Sequence, residues 1–265
     1  MRALLSIHDV MPSSRGAIAE LLAQLYVSVP ALRPQDITLL VVPGAQWRED
    51  DLLWLHRLVQ AGHPLAGHGW CHRAPERRTL SHHLHSLLLS RDAAEHLSRP
   101  ESELVALMLR CHAWFEQHEL PLGPLYVPPA WAVGKLRANT LAAMPFRLLE
   151  NLSGVMSLRH GSSIRLPLAG YEADTAWRAA FLSVSNAIHF RAAILLDRPI
   201  RIGLHPFDLR YRLGNQLLDD LRRVTQFCGY ASAIPDPHIV GMNAKNTASA
   251  ELKTDPSKIV GKAVQ

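Results

Sequence analysis

The sequence predicts an α/β fold built on a parallel sheet or barrel, and three observations carry that prediction. Strand, helix, strand, helix, strand follow one another within the first 70 residues, the pattern of βαβ units. The strand candidates are continuous apolar runs rather than alternating ones, as in sheets covered on both faces. Three of them deliver a histidine at their C-terminal ends: His8-Asp9, His68 and His205. In such folds that edge is where ligands bind.

Taken in order, Ala3 to Ile7 is a β-prone run closed by His8-Asp9-Val10-Met11-Pro12, and Pro12-Ser13-Ser14 opens a helix. That helix places Ile18, Leu21, Leu22, Leu25 and Val29 on one face. Ile37 to Val42 reads as a buried strand ending at Pro43-Gly44, and the helix holding Leu52, Leu55, Leu58 and Val59 stops at Gly62. Pro64-Leu65-Ala66 then runs into His68. Helices are expected over 79–97 and 103–118, the second with Leu104, Leu107, Met108, Cys111, Trp114 and Phe115 inward. Leu125-Tyr126-Val127 is a strand, and Pro128-Pro129 after it forms a rigid turn that presents Trp131. Residues 140–170 read as short strands with turns at Gly154, Gly161 and Pro167, followed by a helix near 175–195. Pro199 to Leu204 is a strand leading to His205-Pro206-Phe207-Asp208. The closing helix, with Leu217, Leu218, Leu221, Val224 and Cys228 on one face, is expected to end at Gly229.

At 265 residues and 48% hydrophobic, the chain can bury a sizeable core. Its longest apolar stretches fall short of the roughly 20 residues that span a bilayer. Met1 to Leu5 leads at once into Ser6-Ile7-His8-Asp9, with no apolar region or cleavage site of a signal peptide, so a cytoplasmic location is expected. Cys71, Cys111 and Cys228 form no paired framework, which fits a reducing compartment; Cys111 and Cys228 are expected in the core. The net charge of +5 is spread, with no basic stripe interleaved with aromatics, so no nucleic-acid partner is expected. Arg73, Arg77 and Arg78 form one local basic cluster beside the histidines. His82, His83 and His85 fall on a polar stretch and are expected at the surface. Of five Lys, four lie in the last 21 residues within polar, aromatic-free sequence. The chain is therefore read as one domain over 1–235 and a polar, disordered tail over 236–265.

The chemistry concentrates in Gly67-His68-Gly69-Trp70-Cys71-His72. Two imidazoles four apart stack on a helical turn and can reach one metal ion, and the glycines flanking His68 let the backbone leave the strand sharply. With His8-Asp9 and His205 at neighbouring strand ends, the sequence resembles the polysaccharide deacetylase (NodB-homology, carbohydrate esterase) superfamily, in a divergent branch of predicted deacetylases. His8-Asp9 stands where that family has two aspartates. His68-Gly69-Trp70-Cys71-His72 resembles its paired-histidine motif, and Gly203-Leu204-His205-Pro206 its final Leu-x-His. Tyr126-Val127-Pro128-Pro129-Ala130-Trp131 resembles the arginine–proline motif without the arginine. Asp174 and Trp177 stand nearest to the fourth motif.

The resemblance covers residues 3–230 and implies a deformed (β/α)7-type barrel holding one divalent metal on Asp9, His68 and His72. Zinc suits an Asp/His set best, with cobalt, nickel or manganese as alternatives. It further implies His8 as general base and His205 as general acid, with Asp208 orienting His205. Trp131, Pro129 and Asp208 are expected on the substrate side, and the substrate to be an N-acylated sugar or related small amide. Two other functions compete: a non-catalytic carbohydrate-binding descendant, and a metal-dependent phosphoesterase, for which Val10 replaces the second histidine of an HxH at the first strand.

Overall fold

In a computed structural model, the chain divides into two units, Met1–Ala233 and Ile234–Gln265. The structure describes residues 1–71 and 99–232, all in the first unit. The expected helix at 79–97, the Arg73/Arg77/Arg78 cluster, His72, His82, His83, His85 and the tail lie outside the described residues.

Among the described residues ten strands form one sheet: β1 (Arg2–Val10), β2 (Ile37–Val41), β3 (Leu65–Gly67), β4 (Leu122–Tyr126), β5 (Leu148–Asn151), β6 (Gly154–Ser157), β7 (Ser163–Arg165), β8 (Leu168–Gly170), β9 (Ile200–Leu204) and β10 (Gln226–Phe227). The order is β7-β6-β5-β4-β3-β2-β1-β9-β8, with β10 also on β1. From β8 through β9, β1, β2, β3 and β4 to β5, every ladder is parallel. That is seven parallel strands in the sequential order of a barrel. β5, β6 and β7 form an antiparallel meander at one end, and no ladder joins β7 to β8 among the described residues. The architecture is a (β/α)7-type barrel deformed by being open at that seam.

Helices α1 (Arg15–Ser28), α2 (Glu49–Gln60), α3 (Glu101–Gln117), α4 (Ala138–Ala142), α5 (Ala176–Leu195) and α6 (Gly214–Arg222) lie between the strands. None of them is long and apolar enough to cross a membrane. The predicted faces pack as their periodicity requires: Ile18, Leu21, Leu22 and Leu25 of α1 and Met108, Cys111, Trp114 and Phe115 of α3 join one core cluster with Leu5, Ile7, Leu39 and Val41. Burying a core residue of this kind contributes about 1.5–3 kcal/mol. Because side chains alternate along a strand, Ala3, Leu5 and Ile7 enter that core, and Ser6 and His8 project on the other face, into the barrel.

Two local expectations are corrected. α6 ends at Arg222, and Gln226–Phe227 pair in parallel with Arg2–Ala3 as β10. Burying a backbone edge against β1 outcompetes a further helical turn that Gly229 would weaken. Cys228 accordingly leaves the helical face and is only half-buried, whereas Cys111 is in the core. Residues 68–71, read as a helical turn, are irregular, with Gly69 at φ 70°.

A buried pair in the α1 layer links stability to pH. His63 Nδ1 donates to the Ile37 carbonyl (3.3 Å), and its Nε2 accepts from the Tyr26 hydroxyl (2.9 Å). This geometry suits a neutral ring, and burial pushes the His63 pKa below its ordinary value, opposed by the Ile37 contact. Below about pH 6.5 the unfolded chain takes up a proton that the folded chain refuses. Stability contributed by neutral His63 is therefore full above that pH and is lost on acidification. Melting curves should show His63→Phe less stable at neutral pH but losing less Tm than wild type between pH 7.5 and pH 5; equal losses would contradict it.

Candidate active site

β1 sets the site. Its pairing with β2 shifts register between Ile7 and Val10, and within that bulge Asp9 adopts φ 55°. Bulges re-aim side chains at functional edges, and a non-glycine residue in this region costs on the order of 1–3 kcal/mol. Ser14 Oγ donates to the Asp9 carbonyl at 2.6 Å and helps to hold the turn. His8 stays buried, 2% exposed, while the Asp9 carboxylate swings to 3.4 Å from His68 Nε2.

His68 follows β3 directly, its backbone N–H donating to Val41 O at 2.9 Å. Its Nδ1 donates to the Val127 carbonyl at 2.8 Å, which leaves Nε2 directed at Asp9. A carbonyl on the far nitrogen is the usual orienting contact of a ligating histidine. The following loop is tied back by Gly44 N donating to Trp70 O at 2.7 Å.

Three aromatic rings surround His8. His68 meets it edge-on at 4.9 Å, Trp131 tilted at 4.9 Å and His205 tilted at 5.0 Å. On its own strand Ser6 Oγ lies 3.4 Å from His8 Nε2, and the Tyr230 hydroxyl is 3.5 Å from Ser6 Oγ. Gly203 of β9 faces this cluster. A Cβ there would come within 3.1 Å of His8 Nε2 and 3.3 Å of Trp131 Cζ2, so any larger residue would push these rings by a few tenths of an ångström. Gly203→Ala is expected to keep the fold and lower turnover about tenfold, because displacements of a fraction of an ångström at the reacting groups are costly. Unchanged turnover with unchanged Tm would show that this contact does not tune the site.

Trp131 is presented by the turn Pro129–Trp131, in which Ala130 and Trp131 both take left-handed φ of 50° and 57°. Its indole N–H donates to Glu150 Oε1 at 2.8 Å. Glu150, 1% exposed, also receives Arg201 Nη1 at 3.1 Å, and Arg201 is 0% exposed. The guanidinium further donates to the carbonyls of Asn151, Leu152 and Leu166. This buried pair anchors the ring that lies against His8.

His205 follows β9. Its backbone N–H donates to Asp208 Oδ2 at 2.8 Å, and its Nδ1 is 3.9 Å from the same oxygen. Asp208 is 0% exposed. Burial pushes its carboxyl up to about 7, opposed by the neighbouring His205 and its N–H, and reinforced by the charges of Glu172 and Asp9.

The structure thus brings His8, Asp9, His68, Trp131, His205 and Asp208 to one edge of the barrel. Of the residues expected on the substrate side, Trp131 is half-buried, whereas Asp208 is fully buried beside His205 and Pro129 is buried in the turn. Asp174 is held by Arg178 at 3.0 Å, and Trp177 is 55% exposed on α5. Among the described residues no group of three or more His, Cys, Asp or Glu has metal-holding geometry, and His72 lies outside them. Sequence reading missed Glu150, Arg201, Gly203 and Tyr230. The available signal was a lone charge of each sign inside an apolar strand, in Leu148-Leu149-Glu150 and Ile200-Arg201-Ile202.

These features define an open (β/α) barrel with a histidine–aspartate cluster at the C-terminal edge of its parallel strands. No family model matches the chain, and no curated protein matches it. Similar solved structures include an esterase, a deacetylase and a domain of a xylanase. One is a family 4 acetyl xylan esterase from Clostridium thermocellum in complex with a cobalt ion, at 11% identity and a TM-score of 0.47 over 85% of this chain and 87% of that one. Another is the peptidoglycan deacetylase PdaC from Bacillus subtilis, solved as a point mutant, at 14% identity and a TM-score of 0.45 over 96% and 97%. A third is the Xyl-CE4 domain of a xylanase from the hindgut metagenome of Trinervitermes trinervoides, at 12% identity and a TM-score of 0.41 over 96% and 92%.

Proposed function

We propose that the protein is a metal-dependent hydrolase that removes an acetyl or similar acyl group from an N-acylated sugar or related small amide in the cytoplasm. The observation that carries the reading is the His68–Asp9 pair. With Nδ1 committed to Val127 O, Nε2 lies 3.4 Å from a carboxylate oxygen, and the two atoms are placed to share a cation. The donor set fits a divalent ion: Asp9 Oδ1 and His68 Nε2 would hold it, with His72 as the third ligand, and one carboxylate with imidazoles suits zinc, or cobalt, nickel or manganese. The chemistry such an ion supplies is polarisation of the acyl carbonyl and a lowered pKa for its water.

The protein's own groups do the rest. His8 is the base that takes a proton from the attacking water, its ring held by Ser6, Trp131, His68 and His205. His205 is the acid that gives a proton to the departing amine, and Asp208 fixes its orientation from beneath. General acid–base steps of this kind contribute typically about 10²–10⁴-fold each. The half-buried Trp131 face lines the approach to His8 and suits the apolar face of a sugar ring.

Elemental analysis of the purified chain tests the reading. About one equivalent of divalent metal is expected, lost in both His68→Ala and His72→Ala. Chelation should abolish hydrolysis of p-nitrophenyl acetate and of N-acetyl sugars, and zinc should restore it. A chain that binds no metal and shows no thermal shift with zinc or cobalt would overturn the hydrolase.

A further inference from the structure

Helix α5 has two apolar faces. One is core: Leu182, Asn186, Phe190 and Ala193 are buried, and Asn186 clasps Gly170, accepting from its N–H at 3.2 Å and donating to its carbonyl at 2.9 Å. The other looks outward. Trp177, Phe181, Val184, Ile188 and Leu195 are 55%, 41%, 63%, 60% and 84% exposed. With 3.6 residues per turn, these five fall in one stripe directly opposite the buried four. With Ile194 and Leu196, this helix and its C-cap hold seven of the twelve exposed large apolar side chains among the described residues. A helix that is apolar all round is normally covered on all sides, and a contiguous patch of this size marks an interaction site.

We propose that this stripe pairs with the same stripe of a second copy of the chain, as an antiparallel helix pair about a two-fold axis. Spacing selects a helix as the occupant. Positions 177, 181, 184, 188, 191 and 195 step by four and three alternately, which is the 3.5-residue seam of knobs-into-holes packing. Ala180 and Ala187 beside the seam are small and exposed, so a second helix can approach closely.

Symmetry selects a second copy. A two-fold contact needs a self-complementary patch, and about residue 186 the seam maps onto itself: 177 onto 195, 181 onto 191, 184 onto 188. Arg191, the single charged residue of the seam, then falls opposite Phe181 of the other copy, where a guanidinium can lie on an aromatic face. A membrane surface would instead receive that charge in the middle of the apolar stripe, the reverse of an interfacial helix with its cations on the polar face. Area agrees. The helix is about 30 Å long, and the five stripe side chains, at roughly 100 Å² each, supply more than half of the about 800 Å² per partner of a stable dimer.

Sedimentation velocity on the full chain decides the matter. Wild type at about 20 μM is expected to run as a dimer of the 29.5 kDa chain. Val184→Glu and Ile188→Glu, each placing a carboxylate in the seam, should run as monomers with unchanged far-UV circular dichroism, and Phe181→Ser, the milder change, should weaken the dimer at least tenfold. Leu53→Glu, at an exposed apolar position elsewhere, should remain dimeric. The double variant Val184→Glu/Ile188→Arg faces opposite charges across an antiparallel pair, so it should dimerise better than either single-charge variant. A monomeric wild type, or seam variants that stay dimeric, would overturn the proposal. A monomer that co-sediments with phosphatidylcholine–phosphatidylserine vesicles would assign the stripe to a membrane surface instead.

Discussion

Replacing His8 with glutamine is expected to lower hydrolysis by about 10²–10⁴-fold while metal content stays at about one equivalent. Glutamine approximates the volume of the ring, so the surrounding packing changes little, but it cannot take a proton at neutral pH. His68→Ala should do the opposite first: the metal is lost, and activity follows. The distinction rests on placement. His68 Nε2 faces the Asp9 carboxylate, whereas His8 Nε2 lies toward Ser6 and Gly203 and its ring is wrapped by three others. The measurement is elemental analysis of both variants beside kcat on one N-acetyl substrate. If His8→Gln loses its metal as His68→Ala does, His8 is a ligand and the base must be sought elsewhere.

Arg201→Met is expected to be the most destabilising single change in the barrel. Arg201 and Glu150 are 0% and 1% exposed and meet at 3.1 Å. Removing the cation leaves a buried carboxylate facing the Trp131 N–H and the Tyr230 hydroxyl but no charge partner, together with carbonyls of Asn151, Leu152 and Leu166 that lose their donor. Breaking a buried pair by deleting one partner costs about 3–5 kcal/mol, a large share of the about 5–15 kcal/mol that holds a typical domain together. Lysine should recover less than half of the loss, since one ammonium cannot span the fork of acceptors that the guanidinium reaches. Removing both charges, as Arg201→Met/Glu150→Leu, should be less harmful than Arg201→Met alone. Denaturant titration reads all three as shifts in midpoint at constant slope. An Arg201→Met midpoint equal to wild type would show that the pair is dispensable. In the folded fraction of Glu150→Leu, which leaves the Trp131 indole N–H without its acceptor, loss of the fixed ring should appear as a fall in kcat, with His68 and the metal untouched.

Much of the scaffold was legible from periodicity. Continuous apolar runs announced β1, β2 and β9, 3.6-residue faces announced α1 and α3, and glycine and proline marked the turns of the β5–β8 region. The candidate site was legible as far as its residues sat at strand ends, because the strand-end rule turns linear position into spatial proximity. His8, Asp9, His68 and His205 were found that way. The expectations that failed were those made from spacing without neighbours. Cys228 had a helical offset from Leu221 but pairs beside β1 instead, and the spacing read as a helical turn after His68 is irregular backbone over 68–71.

The sequence by itself therefore determined the α/β class and the set of histidines at the sheet edge, because both follow from local pattern and from the direction in which each strand runs. Only the tertiary structure decided which of those side chains face one another. The bulge that turns Asp9 toward His68, the glycine at 203 that admits His8 and Trp131 together, and the Glu150–Arg201 pair join residues up to 195 positions apart in the chain. Their contacts depend on register, ring orientation and burial, which exist only once the sheet has curled around them.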